Sequence, residues 1–205
     1  MSEPDESPPP RRSGPLSRIG SDSSGSLDNL TIILKFSENS VFNSIISSPD
    51  NDIMYEVSTP NKLFNRVSTT FRLDPTRGER TLAGEVEWAS VPIRTRVRIG
   101  FQTLEWMLVN DWLENLGGWT SASRAFVGAN GARYRWKRKF REFHLTADED
   151  SSSKPPTFAI FREPKRNALL KVTEMPTIRV SPEALPSLDH IIVSLLVMEK
   201  RHRDK

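Results

Sequence analysis

Apolar and polar positions alternate along most of the chain after Asn29, in short runs that turn residues separate. The runs are rich in Val, Ile, Thr and aromatic residues and recur at about the 8–12-residue spacing that is typical of all-β domains. Because side chains of a strand point alternately to opposite faces, this pattern predicts a series of half-buried strands. About twelve are expected, at Leu30–Phe36, Ile53–Ser58, Arg66–Arg72, Leu82–Trp88, Arg94–Ile99, Gln102–Trp106, Arg124–Val127, Arg133–Lys137, Glu142–Thr146, Phe158–Arg162, Leu169–Val172 and Thr177–Val180.

The most specific local signal for a hairpin is the sequence Gly-Ala-Asn-Gly at 128–131. Asn-Gly pairs suit tight turns because both residues tolerate positive φ, so the strands that flank this turn are expected to pair. Asn110–Glu114 is expected to form a short helical turn. Residues 148–156, which contain acids, serines and a Pro pair, are expected to form an exposed loop.

The strongest feature of the sequence is an almost uninterrupted apolar segment from Leu188 to Met198. Its flanks match the ends of a helix, since Ser187 is a candidate N-cap, Asp189 adds negative charge to the first turn and a basic sequence at 200–203 adds positive charge to the last. Because such a helix has no polar face over two turns, it must be surrounded by other elements. The pattern predicts a buried helix over about 188–202.

Two other structures remain open for this segment. A β-strand fits its β-branched residues, although strands so uniformly apolar belong to parallel sheets, and the chain shows no alternation of strands and helices. A membrane anchor fits its hydropathy, but the 11 residues rise only about 16 Å as a helix, roughly half of the hydrocarbon thickness. The buried helix is favoured.

The first 28 residues differ in composition from the rest of the chain, since Ser, Pro, Gly and charged residues dominate them. They hold too few apolar side chains to offset the entropy cost of ordering, which predicts a disordered tail over 1–28 and a single domain over 29–205. Serines of the tail lie near arginines and acids, so that regulatory phosphorylation and a solvated tail without a role are both open.

Several short motifs follow one another along the chain in a characteristic order. They are Leu34-Lys35-Phe36-Ser37, Tyr55-Glu56-Val57-Ser58-Thr59-Pro60, Ser68-Thr69-Thr70-Phe71, Glu85-Val86-Glu87-Trp88, Arg124-Ala125-Phe126, Tyr134-Arg135-Trp136-Lys137 and the closing Leu188-Asp189 and Glu199-Lys200. This order resembles the fungal family called domain of unknown function 6593, over about residues 30–203. Two departures from that family are the turn sequence at 128–131, where Gly-Pro-Asp-Gly is usual, and a longer loop at 148–156.

That family is similar to the Tubby-like and phospholipid-scramblase-like (LURP-one-like) domains. The resemblance implies a mainly β fold, a closed antiparallel barrel of about twelve strands around a central apolar helix near the C-terminus. The strands and the apolar helix expected from the sequence agree with this architecture. In Tubby-like domains a positive groove binds phosphoinositide headgroups, so the resemblance ranks an anionic lipid first among the ligands.

Composition narrows the class of protein further. The chain has no cysteine, which excludes disulfide scaffolds, thiol nucleophiles and Cys-based metal sites. The first 28 residues lack the pattern of a secretory signal, and no segment reaches the roughly 18 apolar residues that span a bilayer. A cytoplasmic protein is expected, peripheral at membranes if it binds lipid, with a nuclear location also open.

Catalytic chemistry has few candidates, because the chain has only 3 histidines and no phosphate-binding glycine motif. Asp189 and His190 are adjacent on the predicted helix and so point to different sides, and no nucleophile motif accompanies them. Glu85 and Glu87 share a strand face, which is interpreted as a solvated face beside arginines. We expect a non-enzymatic protein without a catalytic residue, cofactor or metal site.

Positive charge is concentrated in residues 94–141, which hold ten Lys or Arg against three acids. On two predicted strands the cations alternate with apolar residues, so that they share the outer face while Tyr134, Trp136 and Phe140 point to the core. This cationic stripe consists of Arg94, Arg96, Arg98, Arg133, Arg135 and Lys137, and Lys139 extends it.

Two interpretations of the cationic stripe remain open. It is either the solvated exterior of the sheet or a surface that contacts phosphates, of which anionic phospholipid headgroups rank first. Nucleic acid ranks second among the anionic ligands, since inward aromatic rings argue against a stacking platform. The alternative function is a protein-interaction or scaffold domain, with a partner that the sequence does not identify and a regulatory N-terminal tail.

Overall fold

Antiparallel strands dominate the fold, as the alternation of the sequence predicts. The computed structural model describes residues 30–60, 66–100, 105–117, 123–148 and 155–204. The predicted tail, most of the strand predicted at Gln102–Trp106 and most of the loop predicted at 148–156 lie outside these residues. The strands are β1 Ile32–Phe36, β2 Ser44–Ser48, β3 Ile53–Ser58, β4 Arg66–Leu73, β5 Arg80–Trp88, β6 Arg96–Ile99, β7 Met107–Leu108, β8 Glu114–Asn115, β9 Arg124–Val127, β10 Arg133–Lys139, β11 Glu142–Ala147, β12 Thr157–Arg162, β13 Lys165–Arg166, β14 Val172–Glu174 and β15 Thr177–Val180.

Thirteen of these strands form one antiparallel sheet. Its hydrogen-bonding order is β7-β6-β5-β4-β3-β2-β1-β15-β12-β11-β10-β9-β8, and β13 and β14 form a separate two-stranded hairpin. Strands β1 to β7 therefore form one half of the sheet, and β8 to β12 together with β15 form the other half. The two halves meet where β15 pairs with β1, in the register Ile33 to Arg179.

The expectation of a closed barrel is wrong. The sheet begins at β7 and ends at β8, and no ladder joins these two edge strands among the described residues. Between them in the chain lies the one-turn helix α1, Val109–Trp112, near the helical turn expected at Asn110–Glu114. Both edge strands are only two residues long. The chain between them forms α1 instead of extending either strand into a longer ladder.

The C-terminal apolar segment forms the helix α2, Leu188–Arg203, which confirms the prediction of a buried helix and excludes the strand. Every apolar side chain from Ile191 to Met198 is buried. No helix among the described residues has both the length and the hydropathy to cross a bilayer. The helix lies in the core between the two halves of the sheet, because its residues contact β5 and also accept hydrogen bonds from side chains of β3 and β10.

Asp189, in the first turn of α2, fastens the helix to the sheet. Its Oδ1 accepts a hydrogen bond of 2.7 Å from the Tyr55 hydroxyl and lies 2.6 Å from Nη2 of Arg72. Burial, and then the Asp189 carboxylate, raise the pKa of Tyr55, so the phenol remains a donor. A carboxylate in this position also complements the positive N-terminal end of the helix dipole.

Ser187 precedes α2 but does not cap it through its side chain, contrary to the prediction. A 3-10 helix, Pro182–Ser187, runs directly into α2, so backbone carbonyls already accept from the first helical amides. The Ser187 hydroxyl donates instead to the side chain of Asn130 over 2.9 Å. It thereby ties the start of α2 to the predicted β9–β10 hairpin turn, which the structure confirms with Gly131 at φ 75°.

Gly84 in β5 lies directly against α2, with no room for a side chain. A Cβ on this residue would lie 2.7 Å from Cγ2 of Val193 and 3.0 Å from the carbonyl oxygen of Arg98. Gly84→Ala is therefore expected to lower the free energy of unfolding by about 1–3 kcal/mol, because the helix must shift or the strand must bend. Urea denaturation measures the change.

Val193→Ala provides the control for this prediction, because it removes the side chain that a Cβ at Gly84 would meet. The double variant is expected to lose less stability than the sum of the two single variants, since one clash has been relieved. Strict additivity of the two losses would contradict direct contact between Gly84 and α2.

Candidate functional site

Two of the three arginines in the first half of the cationic stripe, Arg96 and Arg98, lie on β6, where cross-strand carboxylates neutralise them. The antiparallel register sets Arg96 opposite Glu87 and Arg98 opposite Glu85. Nε of Arg96 lies 2.8 Å from Glu87, and Arg98 is paired with Glu85 in the same way. Both guanidinium groups also lie over the ring of Trp106, at 5.6 and 5.1 Å from its centroid.

The second half of the cationic stripe lies on β10 and is also largely paired. Arg133 lies 2.5 Å from Glu114 and 2.5 Å from Asp148, and Arg135 is ion-paired with the same aspartate. The alternation predicted for β10 is correct for its rings, since Tyr134 and Trp136 are buried.

The remaining two members of the cationic stripe differ in setting. Arg94 is exposed but belongs to a 3-10 turn, Pro92–Arg94, rather than to the predicted strand. Lys137 lies on β10, and its side chain makes no hydrogen bond or ion pair with another described residue. In the sheet order eight strands separate β6 from β10. The hydrogen-bonded register thus groups the stripe residues in two separate places.

A different group of cations shares one outer face. Two cross-strand rows run over β10, β11, β12, β15 and β1, and directly paired residues in such rows point to the same side of a sheet. One row is Lys137, His144, Ile160, Arg179 and Ile33, and the next is Lys139, Glu142, Arg162, Thr177 and Lys35. We call the cations of these rows, Lys35, Lys137, Lys139, Arg162 and Arg179, the basic face.

Four of the five cations of the basic face have no side-chain partner among the described residues. The side chains of Lys35, Lys137, Lys139 and Arg179 make no hydrogen bond or ion pair with another residue in the described part of the chain. With strands about 4.8 Å apart, five neighbouring strands give the basic face a width of roughly 19 Å. This width and the free charges suit contact with several phosphates at once.

Glu142 is the one carboxylate in the two rows. It lies 2.7 Å from Nε2 of His144 and 2.7 Å from Nε of Arg162. Burial raises the pKa of Glu142, but the hydrogen bonds from His144 and Arg162 outweigh burial and hold the pKa below its ordinary value. Glu142 therefore remains ionised and pairs with Arg162, and no carboxylate of the described residues forms an ion pair with the four other cations of the basic face.

The residues that were weighed for catalysis do not come together in the structure. Asp189 faces Tyr55 and Arg72, whereas the ring of His190 lies 6.5 Å from that of Trp112. Burial, opposed by the charge of Asp189, lowers the pKa of His190, so its ring is neutral near pH 7. Glu85 and Glu87 are the partners of arginines, as the interpretation of a charged face expected.

Lys35 and Arg179 were missed by the sequence interpretation, because each is a single cation within a short strand. The signal is present in the two strand sequences, IILKF and TIRV, where a cation stands at an outward position between apolar residues. Only the pairing of β1 with β15 brings these two cations onto one surface with β10.

These features define a class of mainly β protein: one large antiparallel sheet packed on a buried C-terminal helix, with a basic outer face. The family of unknown function DUF6593 matches residues 39–204. The chain belongs to that family, as the order of its short motifs indicated. No curated protein and no solved structure matches the chain.

Proposed function

We propose that the protein is a non-enzymatic module that binds anionic phospholipid headgroups through the basic face, as a peripheral protein on the cytoplasmic side of a membrane. The observation that carries this proposal is the set of four unpaired cations on one side of the sheet, Lys35, Lys137, Lys139 and Arg179. The similarity to Tubby-like domains suggested by the sequence motifs supports phosphoinositides as one form of the ligand.

The charges of the basic face suit a phosphate surface for two physical reasons. Ammonium and guanidinium groups without a protein partner lose no ion pair when they approach a phosphate, whereas Arg96 and Arg98 would first have to leave Glu87 and Glu85. A cation near an anionic leaflet contributes about 1 kcal/mol. Four such cations therefore supply about 4 kcal/mol, which weakens as salt screens the charges.

Replacement of Lys35, Lys137, Lys139 and Arg179 by Gln is expected to weaken binding to anionic vesicles by roughly 100- to 1,000-fold. The reason is the loss of four headgroup contacts without loss of an ion pair in the protein. Co-sedimentation with vesicles of phosphatidylcholine alone, with phosphatidylserine added and with a phosphoinositide added measures the change.

The matched control changes the same formal charge on the other half of the sheet. It replaces Arg80, Arg94, Arg96 and Arg98 by Gln, three of which are held in ion pairs. The control variant is expected to retain most of the binding. Equal losses in both variants would show that net charge alone determines binding. A loss confined to the control would place the site at the four arginines that the control replaces.

A nucleic-acid arm completes the test. Fluorescence anisotropy with a labelled duplex at the same salt concentrations is expected to show no binding that depends on the basic face. If the four-residue variant lost affinity for the duplex and not for the vesicles, the basic face would be a nucleic-acid surface and the proposal would be wrong.

A further inference from the structure

Two hairpin tips expose large apolar side chains to solvent. Phe140, between β10 and β11, is 98% exposed, and Leu169 and Leu170, between β13 and β14, are 76% and 74% exposed. These are the three most exposed large hydrophobic residues of the described chain. Scattered apolar residues on a surface are ordinary, but contiguous ones mark contact sites.

Phe140 lies in a turn whose backbone conformation disfavours a bulky residue. Lys139 pairs with Glu142, so that Phe140 and Arg141 form a two-residue turn, and Phe140 has φ 54°. A bulky residue with positive φ is uncommon, and glycine is the usual choice at the first position of such a turn. The sequence interpretation placed this ring in the core, which is wrong because β10 ends at Lys139. A strained backbone that presents a ring to solvent points to a use for the ring outside the fold.

Hydrogen bonds to Asn167 stabilise the turn of the second tip. The side-chain Oδ1 of Asn167 accepts hydrogen bonds of 3.0 Å from the amides of Leu169 and Lys171, and its backbone carbonyl accepts one of 3.0 Å from Leu170. The strand expected at Leu169–Val172 is replaced by this turn, and β14 begins only at Val172. The leucine pair is thus presented by an ordered loop.

Both tips lie at the same end of the molecule. Arg141, beside Phe140, and Leu170 line one cleft of about 540 Å³, together with the C-terminal part of α2. The amide of Glu163 also donates to the carbonyl of Arg141 over 3.2 Å, which joins the turn after β10 to the start of the second hairpin. Each tip therefore contributes one residue to a common cleft, Arg141 from the first and Leu170 from the second.

Cations surround the tips and continue into the basic face. Lys139 and Arg141 flank Phe140 in the chain, and Lys171 follows Leu170. The row of the basic face that contains Lys35, Arg162 and Lys139 ends at the first tip. Apolar side chains ringed by Lys and Arg match the interface of an anionic bilayer, where the rings and leucines enter the acyl boundary and the cations stay at the phosphates.

We infer that Phe140 and the pair Leu169–Leu170 insert into the interfacial layer of an anionic membrane when the basic face contacts its headgroups. This inference rests on the proposed function and deepens it, since it fixes which end of the molecule faces the bilayer. The basic face supplies attraction that salt weakens, and the tips supply apolar burial that salt leaves largely unchanged.

A fluorescent reporter at each tip tests the insertion, and the chain suits this experiment because it contains no native cysteine. Phe140→Cys and Leu169→Cys, each labelled with an environment-sensitive dye, are expected to show a blue shift and a rise in emission when phosphatidylserine vesicles are added. Nitroxide groups on the acyl chains are expected to quench both labels. Val127→Cys, an exposed position on β9, is the control and is expected to show neither effect.

Each outcome of the reporter experiment decides between the two proposals. Binding in co-sedimentation with no blue shift at either tip would overturn the insertion and leave lipid binding by the basic face intact. Absence of binding to every anionic vesicle would overturn both. A shift at Val127 as large as that at Phe140 would mean that a different surface faces the bilayer.

Removal of the apolar side chains gives an independent measurement. Phe140→Ala combined with Leu169→Ala and Leu170→Ala is expected to weaken vesicle binding about 10- to 100-fold, with a loss that persists at high salt. The control replaces three exposed apolar residues elsewhere, Val91, Leu108 and Val127, by Ala and is expected to bind as the parent does. A loss no larger than that of the control would contradict insertion.

Discussion

Truncation of the chain after Ser187, which removes α2, is expected to leave a polypeptide that does not fold. Seven apolar side chains between Ile191 and Met198 are buried, none more than 4% exposed. At about 1.5–3 kcal/mol for each side chain, their burial contributes roughly 10–20 kcal/mol before entropy is subtracted. This contribution equals or exceeds the about 5–15 kcal/mol by which ordinary domains are stable.

The location of α2 is a second reason why the truncated chain is not expected to fold. The helix contacts β5 through Val193, β10 through Ser194 and β3 through Asp189, so its removal leaves the inner side of the sheet open on both halves. Circular dichroism and thermal unfolding measure the effect. Truncation after Arg203, which keeps all of α2, is the control and is expected to unfold cooperatively. Cooperative unfolding of the shorter chain would contradict the role given to the helix.

The sequence predicted strands where side chains alternate by polarity and missed β2, where burial does not follow polarity. β2 has the sequence SIISS, in which Ser44 and Ser48 are buried while Ile45 is 45% exposed. Ser44 is satisfied inside by the amide of Glu38 over 3.1 Å, so hydrogen bonding rather than hydropathy decides its direction. β8 and β13 have two residues each, which is too short for any period to be visible.

The alternation of polar and apolar residues describes one strand at a time, so it could not predict whether the sheet closes. Alternation reports that each strand has a buried side, and a curved open sheet around α2 satisfies that condition as well as a barrel does. The difference depends on whether β7 and β8 pair, and the short helix α1 between them occupies that part of the chain. The inference of closure came from a resemblance, not from the residues.

The sequence predicted the positive charge of the candidate site and the outward direction of its side chains. It did not predict which strands carry the site. Period-2 geometry correctly directed Arg96, Arg98, Arg133 and Arg135 outward, because the residues between them are buried. It could not show that Glu85 and Glu87 lie opposite Arg98 and Arg96, since cross-strand register is a property of two segments. The basic face therefore differs from the cationic stripe because most of its cations have no carboxylate partner among the described residues, and not because its cations are denser.

Trp136→Ala is expected to lower the free energy of unfolding by about 3–5 kcal/mol. Trp136 is fully buried, and its indole Nε1 donates to Oγ of Ser194 over 2.8 Å. The serine hydroxyl in turn donates to the carbonyl of Ile191 over 3.0 Å. The variant loses both the apolar burial of the ring and the hydrogen bond to Ser194, the single polar residue between Ile191 and Met198. Urea denaturation measures the loss.

Ser194→Ala separates the hydrogen bond from the packing. This variant keeps the ring but leaves its buried N–H without an acceptor, which is expected to cost about 1–3 kcal/mol. In the double variant the serine substitution should add less than it does alone, because the unpaired N–H is already absent. Since the indole of Trp136 packs between β10 and α2, its loss should exceed that of Ser194 alone. Equal losses in the two single variants would mean that the core around Trp136 is not closely packed and that the hydrogen bond alone joins β10 to the helix.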